Sequence, residues 1–221
     1  MGRGPLSPED FVRLRFVSDP LCDRCGVPLD YRTGSENWCV VCLARPPGWD
    51  RARAALIYGE TSRRPVLDLK RAGRRNGLET LCGWMRQAGR ALIDDAEVLV
   101  PVPLHYTRLV VRGFNQSGWL AQAIGAETGR KVLEDGLVHT RRTPSQAGLA
   151  GRARRRNVSG AFRVRKSRLA AIAGKRVLLV DDVQTTGATL WACKRALKQA
   201  GARHVDGLVL ARVVRETDVT I

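Results

Sequence analysis

The residues best suited to chemistry lie in one run, Val177-Leu178-Leu179-Val180-Asp181-Asp182-Val183-Gln184-Thr185-Thr186-Gly187-Ala188-Thr189-Leu190. Its apolar start reads as a strand buried on both faces, as in a parallel sheet. Two adjacent carboxylates cannot sit unpaired in such a core. Asp181 and Asp182 are therefore expected to emerge into a crevice at the carboxyl end of the strand, the edge where open α/β sheets bind ligands. Gly187 lets the backbone approach a ligand closely, and Thr185, Thr186 and Thr189 supply hydroxyls. A helix starting near Ala188 would aim free N–H groups and the positive end of its dipole at the same point. The run reads as an anion cradle beside two acids that can accept hydrogen bonds from sugar hydroxyls or help hold Mg²⁺. The plainer reading is a strand, an acidic turn and a threonine-capped helix.

A second constellation is Cys22-Asp23-Arg24-Cys25 with Cys39-Val40-Val41-Cys42. Each C-x-x-C pair can turn two thiolates toward one metal, and two such knuckles complete a tetrahedral site. In a cytosolic protein this means zinc more readily than disulfides. An iron–sulfur cluster, disulfides and redox thiols are the alternatives. A shell of Cys22, Cys25, Cys39 and Cys42 is closed, so the metal would be structural and would nucleate a module too small to fold alone. Cys82 and Cys193 lie in apolar, helix-like surroundings and read as small buried hydrophobes.

The third feature is charge. His139 to Arg168 contains no Asp or Glu, yet carries Arg141, Arg142, Arg152, Arg154, Arg155, Arg156, Arg163, Arg165, Lys166 and Arg168. Like charges at this density repel until a polyanion arrives. Pyrophosphate or DNA phosphate would satisfy them. Arg152, Arg154, Arg155 and Arg156 are the candidate nucleic-acid contacts; the bland alternative is a solvated loop. The net charge of +17 points the same way, although an arginine-rich proteome would produce the same excess. Aromatic residues make up 5% of the chain, too few for an extended base-stacking platform.

The elements that must position these residues follow from periodicity and breakers. Ser7, Pro8 and Asp10 form a helix start, with Phe11, Leu14 and Val17 on one face and a stop before Pro20. Ala52 to Tyr58 reads as a strand and Arg64 to Ala72 as a short helix. Leu78, Leu81, Cys82, Met85 and Leu92 mark a longer amphipathic helix. Glu97 to His105 holds a second buried strand, ended by Pro101 and Pro103, which cannot donate to a ladder. Asn115 caps a helix that Gly129 ends. Short strands are expected over Lys131–Leu133 and Leu137–Thr140. Leu190, Cys193, Leu197 and Ala200 share a helix face closed by Gly201, and His204 to Val214 is a further strand. Strand, helix and strand then make a right-handed βαβ unit.

At 221 residues with 44% apolar content, one medium domain plus a small one is expected. Arg45-Pro46-Pro47-Gly48 is the boundary, giving a cysteine-bearing module over 1–50 and an α/β domain over 51–221, with a flexible basic arm at about 141–168. No apolar run approaches the roughly 20 residues that span a bilayer. The N-terminus lacks a signal-peptide core. A soluble cytoplasmic protein without membrane insertion is expected.

Asp181 to Thr189 resembles the phosphoribosyl pyrophosphate (PRPP) loop of type I phosphoribosyltransferases. With Val100-Pro101-Val102-Pro103-Leu104-His105, Arg112-Gly113-Phe114-Asn115-Gln116, Gln146 with Arg152 and Asn157, and the four-cysteine front end, nearly the whole chain resembles the ComF family. These are competence-associated proteins with an N-terminal zinc ribbon and a phosphoribosyltransferase-like domain. The resemblance implies an α/β fold, a type I phosphoribosyltransferase-like open parallel sheet flanked by helices, with a small zinc-ribbon module. It implies that Asp181 and Asp182 bind the ribose 2′- and 3′-hydroxyls. Val183 and Gln184 lead into a loop in which Thr185, Thr186, Gly187, Ala188 and Thr189 wrap the 5′-phosphate.

Val102, Pro103, Leu104 and His105 would form the pyrophosphate-side loop, and the basic arm would hold the flexible loop that closes over the site. Zn²⁺ at the cysteines and Mg²⁺ with PRPP are the implied cofactors. The implied chemistry is displacement of pyrophosphate by a nitrogen nucleophile, with Asp181 and Asp182 stabilising an oxocarbenium-like centre. The family resemblance names no acceptor. It also implies a role with single-stranded DNA and the competence machinery. The competing reading is a non-catalytic DNA-binding or adaptor protein that keeps the PRPP fold for binding or regulation.

Overall fold

The apolar runs form one five-stranded sheet in the computed structural model, which describes residues 7–32, 34, 36–44, 50–71, 77–141 and 160–214. Its strands are β1 (Ala52–Ile57), β2 (Val98–Pro101), β3 (Lys131–Val132), β6 (Arg176–Gln184) and β7 (His204–Arg212), in the order β1-β7-β6-β2-β3. Every pairing is parallel. Between β3 and β6, β4 (Leu137–His139) and β5 (Phe162–Val164) make a separate antiparallel pair.

A parallel sheet must be covered on both faces, which is why its strands lack polar alternation. On one face Val177 and Leu179 of β6 pack with Leu190, Cys193 and Leu197 of α8 (Ala188–Gln199) and with Phe162 of β5. On the other face, Leu178 and Val180 pack with Leu81, Met85 and Leu92 of α4 (Leu78–Asp95) and with Leu120 and Ile124 of α6 (Gln116–Thr128). Each such fully buried side chain contributes about 1.5–3 kcal/mol. Cys82 and Cys193 are fully buried within these clusters, as expected of small hydrophobes. Among the described residues, no helix is long and apolar enough to cross a membrane.

Several boundaries differ from those read in the sequence. Helix α1 (Pro8–Val12) is capped as expected, with Ser7 Oγ accepting from Asp10 N–H at 3.1 Å, but it stops well short of Pro20. The chain then lies along the edge of β1: Val17 N–H donates to Ala55 O at 2.9 Å and Ile57 N–H to Arg15 O at 2.8 Å. An unpaired sheet edge offers exactly such donors and acceptors, and these outweigh further helix. The short α2 spans Val40–Ala44 within the second cysteine pair.

Helix α3 runs Glu60–Asp68, starting four residues before Arg64, because Ser62 Oγ accepts from Gly59 N–H at 2.8 Å and closes its first turn. Helix α5 (Tyr106–Arg112) was not expected after the prolines. The His105 ring starts it by accepting from Thr107 N–H, and left-handed Gly113 (φ +81) ends it. Part of the expected basic arm is folded. Residues 160–168 include β5 and lead into α7 (Leu169–Ile172), while Arg165 and Arg168 pair with Asp135 at 3.3 and 2.8 Å.

The cysteine-bearing segment docks on β1. Ala52 N–H donates to Arg24 O at 2.7 Å, and buried Arg212 donates to Cys25 O. Gly26 (φ +67) sits between them; a Cβ there would lie 2.4 Å from Ala52 O. Only glycine satisfies both the left-handed backbone and the close approach.

Candidate functional site

Strand β2 ends at Pro101, opposite Val180, while β6 continues to Gln184 beside β7 alone. Asp181 and Asp182 therefore stand at the carboxyl edge of the sheet, where one neighbour has left. They do not emerge into an open crevice as expected: both are buried, 8% and 6% exposed. The reason is that they are paired. Asp181 Oδ1 accepts from Ser117 Oγ and from Asp182 N–H, each at 2.9 Å. Asp182 Oδ1 accepts from Val183 N–H at 2.8 Å. Asp182 Oδ2 meets Lys70 Nζ at 2.8 Å and Gln116 Nε2 at 3.4 Å.

The first turn of α6 holds these partners in place. Asn115 Oδ1 caps it by accepting from Ser117 N–H at 3.2 Å, and Asn115 Nδ2 donates to Val102 O at 3.0 Å. Gln116 is oriented in turn by Arg112, which donates to its Oε1 at 2.7 Å. Arg112 and Gln116 were visible in the sequence without an assigned chemistry; the structure makes them a relay ending on Asp182. Ser117 and Lys70 were not singled out, and no local signal links them to residues 181 and 182. Burial, and next the neighbouring Asp182 carboxylate, push the Asp181 carboxyl up to about 8, against the pull of Ser117 and the Asp182 N–H.

Past Gln184 the chain turns through Thr185 and Thr186 to Gly187, whose left-handed φ of +70 makes it the N-cap of α8. Thr185 is exposed, and Thr186 is half-buried with its Oγ1 enclosed and unpartnered among the described residues. Ala188 opens the helix and Thr189 follows in its first turn. The turn thus sets an orphaned hydroxyl and the first-turn N–H groups of a 12-residue helix beside two acids. Such a place accepts donors on one side and an anion on the other.

Val102, Pro103, Leu104 and His105 continue past the end of β2, where Val102 N–H donates to Val180 O of β6 at 2.9 Å, one residue before the acid pair. Buried His105 is occupied in starting α5, with Nδ1 2.9 Å from Thr107 Oγ1 and its ring edge-on to His139 at 5.4 Å. A cavity of about 530 Å³ lies against this loop, lined by Pro103, Leu104, Asn115, Trp119 and His139 among others; Asp181, Asp182 and the threonines of the turn do not line it. Arg152, Arg154, Arg155 and Arg156, with Gln146 and Asn157, lie outside the described residues.

The sulfurs of Cys22, Cys25, Cys39 and Cys42 all lie within 4.8 Å of one another, and those of Cys25 and Cys39 are 3.7 Å apart. Tetrahedral zinc with bonds of about 2.3 Å sets sulfurs about 3.8 Å apart, so the cluster fits. The four are free thiols, not disulfides. Cys39 N–H donates to Cys22 Sγ at 3.4 Å, and Val27, Leu29 and Trp38 pack around the cluster.

The family model of the phosphoribosyl transferase domain matches residues 89–219. The DNA utilization protein YhgH of Escherichia coli strain K12 is 31% identical over 203 residues, covering 88% of this chain and 85% of that protein. Competence protein F of Haemophilus influenzae is 30% identical over 211 residues, covering 90% and 87%. Competence protein ComFC of Streptococcus pneumoniae is 33% identical over 113 residues, covering 51% and 47%. The five parallel strands flanked by helices are the type I phosphoribosyltransferase-like sheet, here joined to a four-cysteine cluster able to hold zinc. Sheet, acid-bearing turn, cysteine cluster and relatives agree: the chain belongs to the ComF family of phosphoribosyl transferase domain proteins.

Proposed function

We propose that the β6–α8 edge binds PRPP with Mg²⁺, and that the protein acts in the cytoplasm in uptake or processing of single-stranded DNA during natural transformation. The observation that carries the ligand is the buried acid pair leading into a glycine-capped helix start with an orphaned Thr186 hydroxyl. In this reading Asp181 and Asp182 accept the ribose 2′- and 3′-hydroxyls. Val183 and Gln184 carry the chain into Thr185–Thr189, which encloses the 5′-phosphate. Val102–His105 borders the pyrophosphate.

Mg²⁺ enters with the pyrophosphate, since it ordinarily keeps waters and phosphate oxygens rather than an all-protein cage. Among the described residues, the cysteines are the one cluster of three or more ligating groups. Zn²⁺ there is structural.

The chemistry such a site supports is transfer of the phosphoribosyl group. The bond from the anomeric carbon to a pyrophosphate oxygen breaks, its electrons leaving with pyrophosphate, while the lone pair of an acceptor nitrogen forms the new bond. Asp182, and Asp181 in its deprotonated form, stabilise the positive charge that develops on the sugar.

A second reading, in which the site binds without turnover and the protein serves DNA handling as an adaptor, is equally compatible with relatives named for DNA utilization and competence. The net charge of +17 suits a polyanionic partner, with Arg152, Arg154, Arg155 and Arg156 as phosphate contacts.

Calorimetric titration of Mg²⁺–PRPP into the parent and into the Asp181→Ala/Asp182→Ala variant tests the ligand. Saturable binding that the variant loses supports it. A folded parent that takes no PRPP refutes it and leaves the adaptor reading.

A further inference from the structure

Lys70 lies just past the end of α3, and nothing in its local sequence marks it as part of a site. Its ammonium nevertheless sits 2.8 Å from Asp182 Oδ2, with 30% of the lysine side chain exposed against 8% of the aspartate's. The lysine reaches a buried carboxylate from the surface. Asp182 Oδ2 also takes Gln116 Nε2, and Oδ1 is occupied by Val183 N–H. A carboxylate oxygen has two lone pairs, so Oδ2 is full. A sugar hydroxyl can donate to it only by displacing one of its two present donors, and Arg112 holds Gln116 in place.

We propose that Lys70 is an exchangeable counterion that selects for a pyrophosphate-bearing sugar. It neutralises Asp182 while the site is empty and moves to the pyrophosphate once the ribose hydroxyls replace it. The inference rests on the PRPP reading above. The 2′-hydroxyl is carried by the carbon next to the anomeric carbon, which bears the pyrophosphate. An ammonium leaving Asp182 therefore finds anionic oxygens on the same ligand. Lysine suits the exchange, being a compact charge on a flexible stem with three rotatable donors rather than a rigid fork. A sugar phosphate without pyrophosphate displaces the lysine and offers it nothing in return.

The test compares Mg²⁺–PRPP with ribose 5-phosphate by calorimetry in the parent, Lys70→Met and Lys70→Gln. Losing a charged donor to the pyrophosphate should weaken PRPP by about tenfold or more. Ribose 5-phosphate should bind as in the parent or more tightly, because its hydroxyls no longer compete with an ammonium. Lys70→Gln should change both affinities in the same directions, and it covers the case in which the methionine variant does not fold. PRPP binding that holds or tightens makes Lys70 a plug and overturns the proposal. Equal weakening of both ligands makes it structural and overturns it too. A parent that binds neither ligand overturns the PRPP reading itself, and the inference with it.

Discussion

Ser117 Oγ donates to Asp181 Oδ1 at 2.9 Å, joining the first turn of α6 to the carboxyl end of β6. Both residues are buried, so water cannot replace the hydroxyl. Ser117→Ala should cost about 1–2 kcal/mol. For a chain of this size that lowers the melting midpoint by about 2–8 °C. An unchanged midpoint in thermal denaturation would show that the contact contributes nothing.

The raised Asp181 carboxyl makes stability depend on pH in a stated direction. Its folded value lies above the ordinary 3.8, at about 8, because burial and the Asp182 charge oppose ionisation. The group binds its proton more tightly folded than unfolded. Its contribution is therefore fully present below about pH 4 and lost as the pH rises through about 8. Asp181→Asn should melt progressively higher than the parent between pH 5 and pH 9. A midpoint difference that is flat or shrinks over that range would contradict the assignment.

Metal analysis of protein purified without added metal should find about one zinc per chain. Cys22→Ser/Cys25→Ser should abolish it. Chelation should also release Arg24 O from Ala52 N–H and Cys25 O from the Arg212 guanidinium, exposing the Ala52 amide to faster hydrogen exchange. Protein with paired thiols and no metal would refute the site.

Arg154, Arg155 and Arg156, replaced together by Ala, should weaken single-stranded DNA binding. If each contacts one phosphate, the slope of log affinity against log salt should shrink by about 2. Binding identical to the parent's at every salt concentration would remove the arm from DNA recognition.

Much of the site was legible in the sequence because its parts are contiguous. An apolar strand, two acids, a glycine at a left-handed position and an amphipathic helix each follow from neighbouring residues. Asn115 and Gly129 bound α6 as expected, for the same local reason. The spacing within each cysteine pair likewise fixes a knuckle. Helix α5 escaped because it is seven residues long and depends on one histidine cap. Strand β5 escaped because its partner lies across the arm, and charge masked its Phe162 and Val164.

The sequence by itself determined most of the elements, the parallel arrangement of the main sheet and the kinds of chemistry present, since propensity, periodicity and capping act over a few residues. Only the tertiary structure decided how the acids are held. Ser117 and Gln116 come from 64 and 66 residues away in the chain, and Lys70 from farther still. Sheet order brings α3, α6 and the end of β6 to one point, and a buried carboxylate takes whatever donors that convergence provides. The result is a covered, neutralised pair where local reasoning expected two open acids.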